Sequence, residues 1–305
     1  MMKEFVFGLV APAGPVRDHA HLDRALARMT ELGWRYKEGS TIRSRKGFLA
    51  ADDAVRLQDL VNMYLDEEVT HIWCVRGGYG SSRIVEKFSN IIGSIGPLKP
   101  LIGFSDITVL HCCLFMHPVV GNRPGCKGYH GPMLLSLLGR ENIDEYSLRN
   151  FIGILEKRGG DIDLGKARPM VAGKATGLMV GGNLTQCAAL CGTRYALGSP
   201  RGEPLILFLE DVGEPPYRLD RCLVQLRQSG LFEHLSGVIL GDFDSERSDF
   251  VEIQEVVRSH FISLSMPVVV DALIGHGTCN MTLPYGPKVE LCVSQDEVTC
   301  REILE

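Results

Sequence analysis

Three stretches of this 305-residue chain end an apolar run in a residue able to do chemistry. In LIGFSDITVLH, the run LKPLIGF stops at Ser105 and Asp106, and an apolar stretch of helical character follows at once. A serine at such a strand-to-helix corner has two readings. It either caps the helix by accepting a hydrogen bond from a first-turn N–H, or it stands above the sheet edge as a nucleophile, with the next N–H aimed at an oxyanion. GFSDI lacks the second glycine of G-x-S-x-G, so the corner by itself favours the cap.

A nucleophilic serine needs a base and an acid that orients the base. The candidate base is His276 in DALIGHGTCNMTLPYG, flanked by two glycines at the end of an apolar run. Of the other histidines, His19, His21, His234 and His260 lie in polar contexts, and His111 and His117 sit in the helix after Ser105. His71 and His130 flank strands and are harder to set aside. The candidate acid is Glu210 in PLILFLEDVGEPPYRLDR, where LILFL runs straight into Glu210 and Asp211. Ending a buried strand in two acids is costly unless they are exposed or paired. A turn before GEPP is the alternative.

The loop RGGYGSSR, after another apolar run, carries Gly77, Gly78 and Gly80. It has no G-K-[ST], and its spacing misses G-x-G-x-x-G, so it is not a standard phosphate cradle. Glycines also serve where backbone N–H groups must come close to a substrate. The N–H groups of Gly78 and Asp106 are thus candidates for an oxyanion hole.

These residues need elements to position them. The first half alternates strand and helix: strands at 4–11, around WRYK, at THIWCVRG and at LKPLIGF, with helices at HAHLDRALARMTELG, AADDAVRLQDLVNMYLDEE and from about Ser82. That rhythm predicts an α/β domain with an open, mostly parallel sheet and helices on both faces. Ligands of such sheets bind beyond the carboxyl ends of the strands, where RGGYGSS and FSDIT both fall. The Gly-, Asp- and Lys-rich stretch that follows reads as a linker into a smaller, β-rich α+β domain. Its strands are expected near 171–180, 204–210, 237–241, 267–271 and 288–301, and its helices over 183–191, 217–229 and 251–259. The expected division is 1–160, a linker at 161–175, and 176–305.

Composition narrows the function. Hydrophobic residues at 45% and charged residues at 23% are ordinary globular values. A net charge of −5 argues against nucleic acid or an anionic membrane as partner. No stretch approaches the ~20 apolar residues of a membrane span. FVFGLVA near the start is read as a buried strand rather than a leader. The ten cysteines show no CxxC pair and no zinc spacing. Free, mostly buried thiols in a reducing, cytoplasmic setting are expected.

Taken together, VAPAGPV, RGGYGSSR, GFSDITVLH, GGNLTQCAALCGT, LFLEDVGEPPYRLDR and IGHGTCNMTLPYG resemble, in this order, the LD-carboxypeptidase family of serine peptidases, which includes the microcin-immunity hydrolases. The resemblance spans nearly the whole chain. It implies Ser105 as nucleophile, Glu210 as acid and His276 as base, with the site between an open-sheet domain and a smaller second domain. It also implies no metal or other cofactor, and a homodimer. The expected activity is removal of a terminal D-alanine from a murein tetrapeptide or related muropeptide. A microcin-immunity-type hydrolase of a toxic peptide-nucleotide would use the same three residues. A non-catalytic ligand-binding α/β module, using RGGYGSSR as an anion loop and Ser105 as a cap, is the alternative of another class. A carboxypeptidase must recognise a free carboxylate, and Arg76 and Arg83 beside the glycine loop are candidates, with a structural salt bridge the competing role for either. Tyr79 and Asn183 are further candidates to face substrate, Asn183 having a helix cap as its plainer role.

Overall fold

Leu22, Ala25, Leu26 and Met29 are the buried residues of α1 (His19–Glu31), the stripe that a 3.6-residue period requires. The helix begins at Asp18, whose carboxylate accepts a hydrogen bond from Ala20 N at 2.9 Å. The same logic builds α2 (Asp53–Leu65) and α3 (Ser81–Ile92), which bury Leu57, Leu60, Val61 and Tyr64, and Ile84, Val85, Phe88 and Ile92. Val55, which the pattern groups with the α2 face, is exposed, and that helix instead buries Arg56 and Asp59. The computed structural model describes residues 5–123, 125–156, 159–243 and 249–304.

The first sheet holds β1 (Val6–Val10), β2 (Arg35–Glu38), β3 (His71–Cys74), β4 (Leu101–Gly103) and β5 (Gly128–His130). All five run parallel, in the order β5-β4-β3-β1-β2. β1 is buried at every position, as expected of a central strand covered on both faces. After β4 comes α4 (Thr108–Met116), buried at every residue from Thr108 to Phe115. Apolar on all sides, it lies inside the molecule rather than on it. α5 (Leu134–Leu137) and α6 (Glu145–Glu156) complete the first half.

The second half contains β6 (Gly160–Asp161), β7 (Arg168–Val171), β8 (Gly173–Asn183), α7 (Leu184–Ala189), β9 (Leu205–Glu210), α8 (Pro216–Gln228), β10 (Leu235–Leu240), α9 (Phe250–Ser259), β11 (Val268–Val270), β12 (Leu283–Tyr285), β13 (Lys288–Val293) and β14 (Val298–Glu302). Seven of these strands join β8 in one sheet ordered β6-β14-β13-β8-β9-β10-β11-β7. Its centre, β8-β9-β10-β11, is parallel, and its flanks are antiparallel. The stretch 161–175, read from composition as a linker, carries β7 and the first residues of β8. Its glycines and charges suit an exposed sheet edge, which resembles a linker in composition.

β12 leaves this domain altogether and pairs antiparallel with β5, extending the first sheet. The larger apolar core is continuous across both halves: Leu110 and Leu114 of α4 belong to it with Leu178, Val180 and Leu207 of the second sheet. A separate core on the other face of the first sheet gathers Phe7, Trp73 and Phe151, with the Trp73 and Phe151 rings stacked at 4.7 Å. Cys74, Cys112, Cys113, Cys187 and Cys300 are buried, and all ten cysteines are free thiols. No described helix is long and apolar enough to cross a membrane.

Candidate active site

At the carboxyl end of β4 the chain turns sharply. Phe104 is extended, Ser105 to Ile107 form a single 3-10 turn, and α4 follows. Ser105 has φ +60°, a left-handed conformation it shares, among described non-glycine residues, only with Asp271. Holding an L-residue there costs on the order of 1 kcal/mol and is common at functional turns. A capping serine would use its hydroxyl on a helix N–H. The Ser105 hydroxyl makes no hydrogen bond among the described residues, and neither helical turn beside it has a side-chain cap. The structure therefore removes the capping role.

β9 delivers Glu210, completely buried, at its carboxyl end. Nδ1 of His276 lies 2.7 Å from Glu210 Oε2, and a carboxylate acceptor there fixes the tautomer that carries the proton on Nδ1. The remaining ring nitrogen, Nε2, makes no hydrogen bond among the described residues. Burial lifts the Glu210 carboxyl above its ordinary range, with His276 pulling the other way. For His276, burial works against the cation, yet attraction and hydrogen bonding to Glu210 prevail and raise its pKa above 6.5. The imidazole packs on Phe104, ring centroids 4.7 Å apart. The structure thus joins Glu210 to His276 and sets the histidine against the residue preceding Ser105, with no hydrogen bond between Ser105 and the ring.

The glycine loop after β3 lies against this turn. A Cβ built on Gly77 would come 3.2 Å from Ser105 Cβ and 3.3 Å from its Oγ, so only glycine leaves that space open. Gly78 has φ +106° and is exposed. Gly14, in the turn after β1, donates from its N–H to Gly77 O at 3.0 Å, lacing the two loops together. Asp106 is buried beside Ser105 and accepts a hydrogen bond from Ser81 N at 2.9 Å, tying the serine turn to the start of α3. Burial raises its pKa, the bonds from Ser81 opposing. Arg56, fully buried, props both loops from α2 by donating to the carbonyls of Gly80, at 3.0 Å, and Pro12. Neither Arg56 nor Gly77 stands out in the sequence as a site residue. A lone arginine in an amphipathic helix carries no signal of burial, and Gly77 is one of three neighbouring glycines.

The substrate-facing candidates separate. Arg76 is half-buried, donates to Pro15 O at 2.8 Å, and has no carboxylate partner among the described residues. Burial, then the nearby Arg17, lowers its pKa. Arg83 is ion-paired with Asp53 of α2, its Nε lying 2.9 and 3.1 Å from the two carboxylate oxygens. Of its two expected roles, the structure supports the salt bridge. Tyr79 is 49% exposed and packs on the exposed Phe48 ring at 5.8 Å. Asn183 takes up the plainer of its two expected roles: its Oδ1 caps α7 by accepting from Gln186 N at 3.1 Å, and its Nδ2 donates to Asp211 Oδ1 at 2.9 Å. Both ends of its amide are engaged and the residue is buried, which suits a cap. Asp211, beside Glu210, also accepts from Thr185 N and Oγ1, which accounts for the second acid at the strand end.

Two sheets joined by a returning strand, with a buried acid–histidine pair between them, define a two-domain α/β architecture that known proteins share. Residues 7–121 match the model of the LD-carboxypeptidase N-terminal domain, and residues 176–291 that of the LD-carboxypeptidase C-terminal domain. The chain belongs to the LD-carboxypeptidase family of peptidases. It is 32% identical over 292 residues to a probable murein peptide carboxypeptidase of Bacillus subtilis, covering 93% of this chain and 88% of that one. It is also 32% identical over 288 residues to the murein tetrapeptide carboxypeptidase of Pseudomonas aeruginosa, covering 91% and 90%. Among solved structures, the muramoyltetrapeptide carboxypeptidase of Oxalobacter formigenes superposes with a TM-score of 0.80 at 25% identity, over 97% of this chain and 98% of that one.

Proposed function

We propose that this protein is a serine-type LD-carboxypeptidase that releases the terminal D-alanine of murein tetrapeptides. One observation carries the reading: a buried Glu210 holds His276 at 2.7 Å beside a turn in which Ser105, at φ +60°, keeps its hydroxyl free. The names of the relatives support the choice of substrate.

In the proposed reaction, His276 Nε2 takes the Ser105 proton as Oγ attacks the carbonyl of the L,D bond. Glu210 keeps the ring oriented and stabilises the imidazolium that forms. The N–H groups of Gly78 and Asp106 receive the negative oxygen, and removing one such donor costs ~10²–10³ in turnover. His276 then protonates the departing amine of D-alanine, and water, activated by the same nitrogen, hydrolyses the acyl-enzyme. The unpaired Arg76 beside the glycine loop receives the substrate's free carboxylate, which suits a guanidinium fork. The separations of an unliganded site tighten when substrate arrives, consistent with a His276 that packs on the residue before Ser105 without a hydrogen bond to the serine.

The test is incubation of wild type and Ser105→Ala with murein tetrapeptide, following D-alanine by mass spectrometry. Release by wild type alone supports the reading, equal release from both means another nucleophile, and release from neither means another substrate.

A further inference from the structure

Behind His276 the seam between the two sheets is lined with rings. Phe104, packed on His276, lies 6.1 Å from the imidazole of His130, and on its other side His130 lies 5.0 Å from Phe208. Phe208 precedes Glu210 by two residues on β9, so their side chains leave the same face of that strand. The backbone of His130 is in register with Gly103 of β4 and with Leu283 of β12. One residue therefore touches the neighbour of the serine, the strand of the acid, and the strand that follows the histidine loop.

The His130 ring is completely buried, and neither of its nitrogens is hydrogen-bonded among the described residues. Glu210 Oε1, the carboxylate oxygen not bonded to His276, is likewise buried and without a partner among the described residues. A polar ring in such a slot costs stability, and an apolar side chain of similar size would fill it at lower cost. A polar residue that works against the fold, next to the candidate site, points to a functional constraint.

We propose that His130 is a positioning residue: a neutral imidazole wedged between Phe104 and Phe208 that presents its dipole to Glu210 Oε1 and keeps the carboxylate turned toward His276. The proposal rests on the reading of Glu210 and His276 as acid and base. Burial, reinforced by His111 and His276, holds the His130 pKa well below 6.5, so this ring stays neutral while His276 takes and returns a proton. The titratable groups facing the seam are His111 of α4, Tyr285 of β12 and Glu210 of β9, with Asp211 and Asp242 also acting on His276.

The test compares His130→Leu, which removes the dipole, with His130→Gln, which keeps a neutral polar group. Three readouts are used: D-alanine release, thermal denaturation, and titration of the His276 imidazole by NMR. For His130→Leu the expected result is an unchanged or higher Tm, kcat lower by about 10²-fold at constant KM, and a His276 pKa shifted down because its carboxylate is less firmly aimed. His130→Gln is expected to recover most of kcat. Full activity and an unmoved His276 titration in His130→Leu would overturn the proposal, as would losses in both variants that merely follow a falling Tm. If wild type releases no D-alanine, the substrate reading fails on its own, and the His276 titration still decides the role of His130.

Discussion

Gly275 and Glu210 share a space that admits no methyl group: a Cβ on Gly275 would lie 2.7 Å from Glu210 Oε2 and 2.8 Å from its Cβ. Gly275 also has φ +113°, which side chains rarely adopt. Gly275→Ala is expected to cost about 1–3 kcal/mol of stability and, by pushing the carboxylate off the imidazole, about 10²-fold in kcat. Urea denaturation and steady-state kinetics read the two effects separately. Full kcat in a folded variant would mean that the tight fit does not transmit to the histidine.

Ser105 at φ +60° stores strain that a glycine would release. Ser105→Gly should therefore be inactive yet more stable, by about 0.5–1 kcal/mol. Ser105→Ala, which keeps the Cβ and the strain, should be inactive without that gain. Equal melting temperatures for the two variants would argue against stored strain at the turn.

The proposed mechanism requires His276 neutral, and its pKa lies above the ordinary 6.5 because Glu210 outweighs the effect of burial. The rate is expected to fall as pH drops through that raised value, so the acid limb of kcat/KM lies above pH 6.5. Glu210→Gln removes the charge that raises it and should move the limb to lower pH while lowering kcat. By linkage, the raised pKa stabilises the fold below the unfolded histidine value, and that contribution fades as pH rises through the folded value. An acid limb unmoved in Glu210→Gln would mean that another group controls it.

His111 behaves in the opposite sense. Burial drives its pKa down to about 4, partly opposed by its contact with Leu101 O. The unfolded chain therefore binds this proton more readily, and stability is lost as pH falls from about 6.5 toward 4, up to a few kcal/mol at ~1.4 kcal/mol per pH unit. Denaturation midpoints measured at pH 7 and pH 5 should differ clearly in wild type and less in His111→Gln. A pH dependence unaltered by that substitution would place the acid sensitivity elsewhere.

Arg76 has no acidic partner among the described residues, so its removal should leave no buried charge behind. Arg76→Gln is expected to raise KM for the tetrapeptide about 10-fold or more, with a small effect on Tm. If the guanidinium receives the terminal carboxylate, wild type should discriminate against a carboxamide-terminated tetrapeptide, and the variant should lose that preference. An unchanged KM would assign Arg76 to holding Pro15 alone.

Much of this was legible because the three key residues end apolar runs: Ser105 after LKPLIGF, Glu210 after LILFL, and His276 after DALIG. Strand ends are where a parallel sheet exposes chemistry, so their approximate location followed from hydropathy. Their pairing did not, since Glu210 and His276 lie on separate strand ends and only the fold brings them to 2.7 Å. β5 and β12 escaped notice because three residues give no readable alternation, and a strand that crosses to another sheet has no local signature at all. Asn183 and Arg83 went to structural partners for a related reason: a polar side chain near a glycine motif looks the same whether it meets Asp211, Asp53 or a substrate.

β12 carries a consequence for how the protein comes off the ribosome. The loop bearing His276 is slung between β11 in one sheet and β12 in the other. Ser105 is made early, on a domain whose outermost strand position stays empty until β12 has emerged. Synthesis proceeds from the N-terminus and early domains fold first, so a nascent chain displays Ser105 before His276 exists. The final strand to close the first sheet is also the one that hauls the histidine loop into place, so under the proposed mechanism a product truncated before β12 would lack hydrolytic power. On the proposed mechanism, the emergence of β12 is thus the arming step.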